Sequence, residues 1–215
     1  MDLRDLEPRP LWGLFSEILS VPHPSRGEEA LARRFEERCR ARGLGTERDG
    51  AGNLVVRAPA SPGMEGRAPM ILQAHLDMVP QKEAGLDFDF SRDPIRVRPD
   101  PEDPAWLRAE GTTLGADNGI GVAAALAVLE DPAARHGPLE ILLTVNEEDG
   151  MDGARGLEPG RLRGRLLLNL DGELEDELCL GCSGGYRLRA AWDFPAAPAE
   201  PGSVLLELRV EGLLG

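Results

Sequence analysis

Apolar residues near the start of the chain recur at the spacing of an α-helix. The stripe consists of Leu11, Leu14, Phe15, Ile18 and Leu19. Residues three and four apart lie on one face of a helix, so this spacing predicts an amphipathic helix over residues ~10–20. One side of that helix should pack against a core.

A second amphipathic helix is predicted directly afterwards. Its apolar stripe consists of Leu31, Ala32, Phe35 and Cys39. Ser25 and Glu28 have the spacing of a capping box, in which the two side chains bond the free backbone amides of the first turn. Gly43 marks the end of the helix, because glycine readily adopts the conformation that follows a helical C-terminus.

After Gly43 the pattern changes to short apolar runs bounded by glycine, proline or charged residues. The runs are Asn53–Val56, Met70–Ala74, Leu139–Val145 and Leu166–Leu170. Between the second and third runs lies Ile120–Leu129, which is apolar on almost every face and predicts a buried helix. Strands that alternate with helices and are too apolar to face water predict an α/β fold, with a mixed, mostly parallel sheet and helices on both faces.

The last third of the chain has a different pattern. Residues 186–192 and 206–210 alternate between apolar and polar side chains, and the string FPAAPAEPG separates them. This alternation predicts half-exposed antiparallel strands that belong to another sheet. We therefore expect one domain over residues 1–183 and the start of a second over residues 184–215.

Composition and charge exclude several classes of protein. The 215 residues carry a formal net charge of -14, which argues against a nucleic-acid partner. No apolar run approaches the ~20 residues of a membrane span, and the N-terminus lacks a signal-peptide core, so a cytoplasmic location without a membrane partner is expected. Three cysteines without an export signal do not suggest disulfides. Cys179 and Cys182 are interpreted as residues around a turn rather than as a metal site.

Ionisable residues follow the predicted strands or precede the buried helix. His75 follows the second strand, Glu147 and Glu148 follow the third, Asp171 follows the fourth, and Asp117 precedes the helix. Each acid alone is typical of a solvated loop, and Asp117 alone is typical of a helix cap. Together they lie where open α/β sheets bind ligands, and they combine the carboxylate and imidazole groups that divalent metal ions need. The pattern therefore predicts a metal site.

The spacing of these residues adds chemical detail. His75 and Asp77 point to the same side of an extended segment, so Asp77 could accept the second N–H of the imidazole and orient the ring. Glu147 and Glu148 are adjacent and point in different directions, so one could bind metal while the other handles a proton. Asp117 could bridge two ions ~3.5–4 Å apart, as in two-metal hydrolytic sites.

Six strings of the sequence resemble the aminoacyl-histidine dipeptidase (Xaa-His dipeptidase, cytosolic non-specific dipeptidase) family of the co-catalytic zinc exopeptidases. They are SVPHPSRGEE, GNLVVR, LQAHLDMVPQK, GTTLGADNGIG, HGPLEILLTVNEEDGMDGA and LLNLDGE. The resemblance covers most of residues 5–185. It implies a zinc-exopeptidase-like catalytic domain over residues 1–183. Residues 184–215 would then be the first strands of an α+β insertion (lid) domain that closes over the substrate.

The resemblance also implies a set of metal ligands. His75 and Asp171 would bind one divalent ion, Glu148 would bind a second, and Asp117 would bridge the two. The ions are expected to be zinc, with manganese and cobalt as alternatives. The peptide bond between Asp117 and Asn118 is expected to be cis.

The activity implied by the resemblance is hydrolysis of dipeptides such as Xaa-His by a metal-activated water. Glu147 would be the general base and Asp77 would orient His75. No serine or cysteine has a base placed beside it by a motif, so direct attack by water is expected rather than a covalent intermediate. The expected partner is a short peptide.

Two further family histidines, one of them in a Gly-Gly-His-Ser-Gly stretch, have no counterpart here. His23 and His136 are interpreted as structural. We therefore expect a truncated enzyme in which one metal site is incomplete. Another exopeptidase (a tripeptidase, carboxypeptidase or aminoacylase) and a metal-binding but inactive product are the alternatives. The sequence leaves open whether the complete enzyme is a homodimer.

Overall fold

A computed structural model of the chain describes residues 2–172, 177–181, 189, 191–193, 201–204 and 206–207. The chain divides into two compact units, Met1–Leu178 and Cys179–Gly215. The first unit contains every helix and strand of the described residues. The strands predicted within residues 186–192 and 206–210 fall mostly outside the described set, so they and the domain boundary at residue 183 stay predictions.

Four helices and seven strands are present among the described residues. The helices are α1 (Arg9–Ser20), α2 (Glu29–Ala41), α3 (Ala116–Glu130) and α4 (Asp152–Gly156), with a 3-10 turn at Leu3–Asp5. The strands are β1 (Gly45–Arg48), β2 (Leu54–Ala58), β3 (Met70–His75), β4 (Val97–Pro99), β5 (Leu107–Ala109), β6 (Leu139–Thr144) and β7 (Leu166–Asn169). Within this set, no helix combines the length and the apolar character that crossing a bilayer requires.

The elements predicted from periodicity over residues 10–170 are confirmed. α3 begins at Ala116 rather than at Ile120, but Asp117 and Asn118 have non-helical dihedral angles, so the regular part of the helix starts close to the predicted position. Strands β1, β4 and β5 and helix α4 were not predicted. They are three to five residues long, and so short a segment carries little periodic signal.

Five strands form one mixed sheet in the order β1-β2-β6-β3-β7. β3 runs parallel to both β6 and β7, whereas β1 pairs with β2, and β2 with β6, in antiparallel fashion. The predicted α/β fold with a mixed sheet is confirmed. Register places His75 opposite Thr144 and Gln73 opposite Asn169, so the carboxyl ends of three parallel strands lie at one edge of the sheet.

The apolar core on one face of the sheet is larger than that on the other. Helices α1, α2 and α3 share one apolar core with alternate sheet residues such as Leu54 and Val56. A smaller cluster on the other face joins Val55, Ile71 and Leu142 to residues that follow α4. Helix α3 packs against both α1 and β3, which explains why it is apolar on nearly all sides.

The predicted capping box is wrong. Helix α2 begins one residue after Glu28, and the Glu28 side chain makes no capping hydrogen bond. Instead, Glu28 Oε1 accepts the backbone N–H of Asn146 at 2.8 Å, and Ser25 Oγ donates to Asp77 Oδ2 at 2.8 Å. Both side chains are drawn from the helix terminus toward buried groups beyond β3 and β6, where their hydrogen bonds satisfy polar groups that water does not reach.

A buried carboxylate joins β6 to the segment that leads into β7. Glu140 is 4% exposed and accepts hydrogen bonds from Arg57 Nε at 3.1 Å and from the backbone N–H groups of Arg163 and Gly164 at 2.7 and 2.8 Å. These bonds fix the entry of the chain into β7, and Asp171 lies just beyond the end of that strand.

Replacing Glu140 should therefore destabilise the fold. In Glu140→Ala, the Nε of Arg57 and two backbone amides lose their acceptor, which should lower the free energy of unfolding by about 3 kcal/mol. Glu140→Gln retains an acceptor oxygen and should lose less. Urea denaturation of the two variants and the wild type measures the difference, and equal midpoints for all three would contradict the assigned role.

Candidate metal centre

The predicted site residues converge at the carboxyl edge of the parallel strands. A cleft of about 360 Å³ opens there, and its lining includes His75, Asp117, Glu147, Glu148 and Asp171. Asp77 lies beneath the cleft and is 1% exposed. Five of the six residues predicted for the site therefore share one cavity, and the sixth supports it from below.

His75 presents its ring to the acids of the cleft. Ligand atoms of His75, Asp117 and Glu148 all lie within 4.8 Å of one another. His75 Nε2 is 3.0 Å from Asp117 Oδ1 and 3.6 Å from Asp171 Oδ1. This arrangement has the donor types and the spacing of a divalent cation site.

The backbone of Asp77 orients the His75 ring. His75 Nδ1 lies 3.0 Å from the main-chain oxygen of Asp77, and the Asp77 carboxylate is farther away at 3.4 Å. A carbonyl oxygen can only accept, so Nδ1 carries the proton and the lone pair of a neutral ring stays on Nε2, facing the cleft. The predicted contact between the two residues is present, but the shorter of its two distances is to the main-chain carbonyl of Asp77 rather than to its carboxylate.

The Asp77 carboxylate holds the loop that follows β6. It accepts the backbone N–H groups of Glu147 at 2.9 Å and Glu148 at 3.2 Å, and the hydroxyl of Ser25 at 2.8 Å. Burial alone would raise the pKa of Asp77, but hydrogen bonds from His75, Glu147 and Ser25 lower it to about 2. Asp77 is therefore ionised at neutral pH.

Asp117 enters the cleft from the first turn of α3. The peptide bond between Asp117 and Asn118 is cis, as the resemblance implied. The Asn118 side chain is buried against Gly121, where an added Cβ would lie 1.9 Å from Asn118 Oδ1 and 2.7 Å from the main-chain oxygen of Leu170. Only glycine fits there, because any side chain would push apart α3 and the segment that carries Asp171.

The charge balance around His75 favours a cation. Burial alone would lower the pKa of His75, but the hydrogen bonds and negative charges of Asp171 and Asp77 raise it to about 11. The hydrogen bond from His75 in turn lowers the pKa of Asp171. In the metal-free chain the protonated His75 ring therefore supplies positive charge among the acids.

The remaining acids of the cleft ionise less readily than free carboxyl groups. The pKa values of Asp117, Glu147 and Glu148 are all raised, first by burial and then by the negative charges of neighbouring carboxylates. One imidazole cannot neutralise this group of acids. A divalent ion in the cleft would relieve the repulsion among them.

Three polar residues outside the predicted set also bond to the site. Ser25 donates to Asp77, whereas Glu28 and Asn53 accept backbone N–H groups of the loop that follows β6. All three lie in strings of the family resemblance, SVPHPSRGEE and GNLVVR. The resemblance of these strings to the family could have identified the three residues as part of the site. Local spacing instead suggested a helix cap for the first two and a strand end for the third.

The other candidate side chains are not among the residues described as lining the cleft. His23 is 2% exposed and its Nδ1 is 2.6 Å from the main-chain oxygen of Val21. His136 precedes the amino end of β6, roughly 20 Å of strand away from the site. Cys179 is exposed. Cys182 lies outside the described residues, so the interpretation of that pair as a turn stays a prediction.

Comparison with known proteins identifies relatives. The model of peptidase family M20/M25/M40 matches residues 71–194, more than half of the chain. The cytosol non-specific dipeptidase of Escherichia coli (strain K12) is 49% identical over 216 residues, which cover 100% of this chain and 44% of that protein. The uncharacterized protein YqjE of Bacillus subtilis (strain 168) is 26% identical over 67% of this chain and 38% of its own length. The chain thus spans less than half of each of these relatives.

Solved structures agree with this assignment. The aminoacylhistidine dipeptidase of Vibrio alginolyticus matches with a TM-score of 0.78 and 51% identity, over 81% of this chain and 35% of that chain. A tripeptidase of Staphylococcus aureus shares the fold, with a TM-score of 0.62 and 23% identity over 76% of this chain and 43% of its own. The resemblance to the dipeptidases is confirmed, and this chain belongs to peptidase family M20/M25/M40.

Proposed function

We propose that this chain carries the metal-binding region of a cytoplasmic, metal-dependent dipeptidase that hydrolyses short peptides such as Xaa-His. The observation that carries the proposal is the group formed by His75, Asp117 and Glu148, whose ligand atoms lie within 4.8 Å of one another. Two relatives named as dipeptidases, at 49% and 51% identity, support the substrate class. The chain spans 44% of the E. coli relative, so the activity of the whole protein is proposed here together with the metal site.

The residues present fit a divalent ion. Because Nδ1 contacts Asp77, the lone pair of a neutral His75 ring lies on Nε2, and the carboxylates of Asp117, Asp171 and Glu148 lie near that atom. This mixture of imidazole and carboxylate suits zinc, and manganese or cobalt could use the same ligands. The described part of the cleft lining contains no cysteine.

We assign the ligands as two overlapping sets. His75 and Asp171 would hold one ion, Glu148 would hold a second, and Asp117 would serve both. When bound, such ions polarise a peptide carbonyl and lower the pKa of water to roughly 7. The protein's own part is to keep these four side chains in one cleft against their mutual repulsion.

Glu147 is the proposed general base. It lines the cleft but is not among the four ligands assigned above, which leaves its carboxylate available for a proton. Burial raises its pKa, and a carboxylate with a raised pKa is a stronger base. Glu147 would take a proton from the attacking water and return it to the leaving amine, so that no covalent intermediate is needed.

Other exopeptidases remain as the second candidates. Tripeptidases, carboxypeptidases and aminoacylases would use the same ligands and differ in the pocket that receives the substrate. A protein that binds metal without catalysis would also contain this group of acids. Assays with a dipeptide, a tripeptide and an N-acylated amino acid, each with and without zinc, distinguish these candidates by which substrate is consumed.

The paired glutamates should have separable roles. In the chain extended to the length of its E. coli relative, Glu147→Gln keeps the side-chain shape but cannot accept a proton, so turnover should fall about 10²–10⁴-fold with metal content unchanged. Glu148→Ala should instead lower metal content. Dipeptide hydrolysis and metal analysis of the purified variants test both statements. Full activity and full metal content in both variants would refute the assignment.

Metal stoichiometry follows from the number of ligands. His75, Asp117 and Asp171 give one ion three protein ligands, the usual number at a catalytic zinc. Among the described residues, the second ion would be held by Asp117 and Glu148. Isothermal titration with zinc should therefore detect about one tightly bound ion and a weaker second, and His75→Ala should remove the tight one. Two equally tight ions, or tight binding that survives loss of His75, would be the contrary result.

Zinc binding should release a proton. The pKa of His75 is raised to about 11 in the metal-free chain, so the ring is protonated between pH 6 and 8 and must lose that proton to bind an ion. The apparent affinity should therefore rise with pH, about tenfold per unit, as expected for one released proton. Titrations in buffers of different ionisation enthalpy count the proton. An affinity independent of pH would contradict the release of this proton.

A further inference from the structure

Four consecutive backbone amides beyond β6 are held by buried side chains. Val145 donates to Asn53 Oδ1 at 3.2 Å, Asn146 to Glu28 Oε1 at 2.8 Å, Glu147 to Asp77 Oδ1 at 2.9 Å and Glu148 to Asp77 Oδ2 at 3.2 Å. Glu28, Asn53 and Asp77, here called the amide clamp, are 5%, 0% and 1% exposed. The loop that contains the paired glutamates is therefore bonded residue by residue to side chains.

The clamp replaces hydrogen bonds that the sheet cannot supply. β6 ends at Thr144, and Asn146 has a φ of 49°, which turns the chain away from the neighbouring strands. Buried amides without acceptors would cost free energy, so side chains must provide the acceptors. Glu28 comes from the segment before α2 and Asn53 from the segment before β2. Two elements far apart in sequence thus meet at this loop.

The clamp side chains are themselves fixed. Glu28 Oε1 also accepts the backbone N–H of Arg26 at 3.0 Å. The Asn53 amide nitrogen donates to Asp49 Oδ2 at 2.7 Å and to the main-chain oxygen of Gly153 at 2.8 Å. A Cβ at Gly153 would lie 2.3 Å from Asn53 Oδ1, so there is no spare room around this contact.

We propose that Glu28 and Asn53 are positioning residues that set the directions of Glu147 and Glu148. Adjacent side chains point apart only while the backbone between them is held, and small errors in the position of a ligand or base are costly. With the loop fixed, Glu148 reaches the ligand group of His75 and Asp117, and Glu147 lines the cleft beside it. This inference rests on the proposed function, because it assigns Glu148 to metal and Glu147 to the proton.

The first test uses the wild-type chain without metal. Hydrogen exchange should show strong protection of the amides of residues 145–148, although they lie outside any helix or strand. In Glu28→Ala the amide of Asn146 should lose that protection. Exchange as fast as in an exposed loop, in the wild type, would overturn the proposal without depending on whether any variant folds.

The second test measures metal binding with Mn²⁺, whose free and bound forms are counted by electron paramagnetic resonance. Glu28→Ala should weaken binding of the ion assigned to Glu148 by about 10–100-fold, the usual effect of losing a residue that supports a ligand. Glu28→Gln keeps an acceptor oxygen and should stay within about threefold of wild type. Asp100→Ala is the matched control. Asp100 is 6% exposed and accepts two backbone N–H groups, but it lies in the β4–β5 segment, so Mn²⁺ binding should not change.

A double variant separates positioning from general destabilisation. If Glu28 acts through Glu148, Glu28→Ala should weaken Mn²⁺ binding no further in a chain that already carries Glu148→Ala. Two results would overturn the inference while leaving the proposed function intact. One is that Glu28→Ala weakens Mn²⁺ binding as much in the Glu148→Ala chain as in the wild type. The other is that Glu28→Ala binds Mn²⁺ as tightly as the wild type. A wild-type chain that binds no Mn²⁺ would overturn the proposed function, and this inference with it.

Discussion

The buried carboxylate of Asp77 is the interaction on which the rest of the site depends. Its two oxygens accept the amides of Glu147 and Glu148, and its own main-chain oxygen orients the ring of His75. One residue at the end of β3 thereby fixes both the imidazole beside it and the loop that leaves the neighbouring strand β6. The negative charge is maintained because the hydrogen bonds outweigh the cost of burial and keep the pKa at about 2.

The fold concentrates more negative charge in the cleft than its own groups can balance. Parallel pairing of β3 with β6 and β7 brings three strand ends to one edge, and α3 adds Asp117. Of the residues that the structure describes, His75 is the one basic side chain in the lining of this cleft. Without an ion, it must hold a proton, and the acids around it are harder to ionise. The same features that strain the metal-free site are those that would bind a divalent ion.

Much of this arrangement could be predicted from the sequence, because apolar runs and strand-end acids are local signals. The runs at Met70–Ala74 and Leu139–Val145 located β3 and β6, and the residues after them located the site. The amide clamp could not be predicted in this way. Glu28 has the spacing of a helix cap, and only the tertiary structure brings it to Asn146, 118 residues away. The Nδ1 contact of His75 shows the same limit, since residue spacing does not distinguish the carboxylate of Asp77 from its carbonyl.

Anomalous diffraction at the zinc edge, from crystals of this chain grown with zinc, would locate an ion bound by the cleft. We propose that His75, Asp117 and the acids beside them form a divalent metal centre at the ends of the parallel strands. This proposal predicts an anomalous peak within bonding distance of His75 Nε2 and Asp117, ~2.0–2.2 Å from the ligand atoms. A cleft without a peak, with zinc bound at His136 or Cys179 instead, would contradict it.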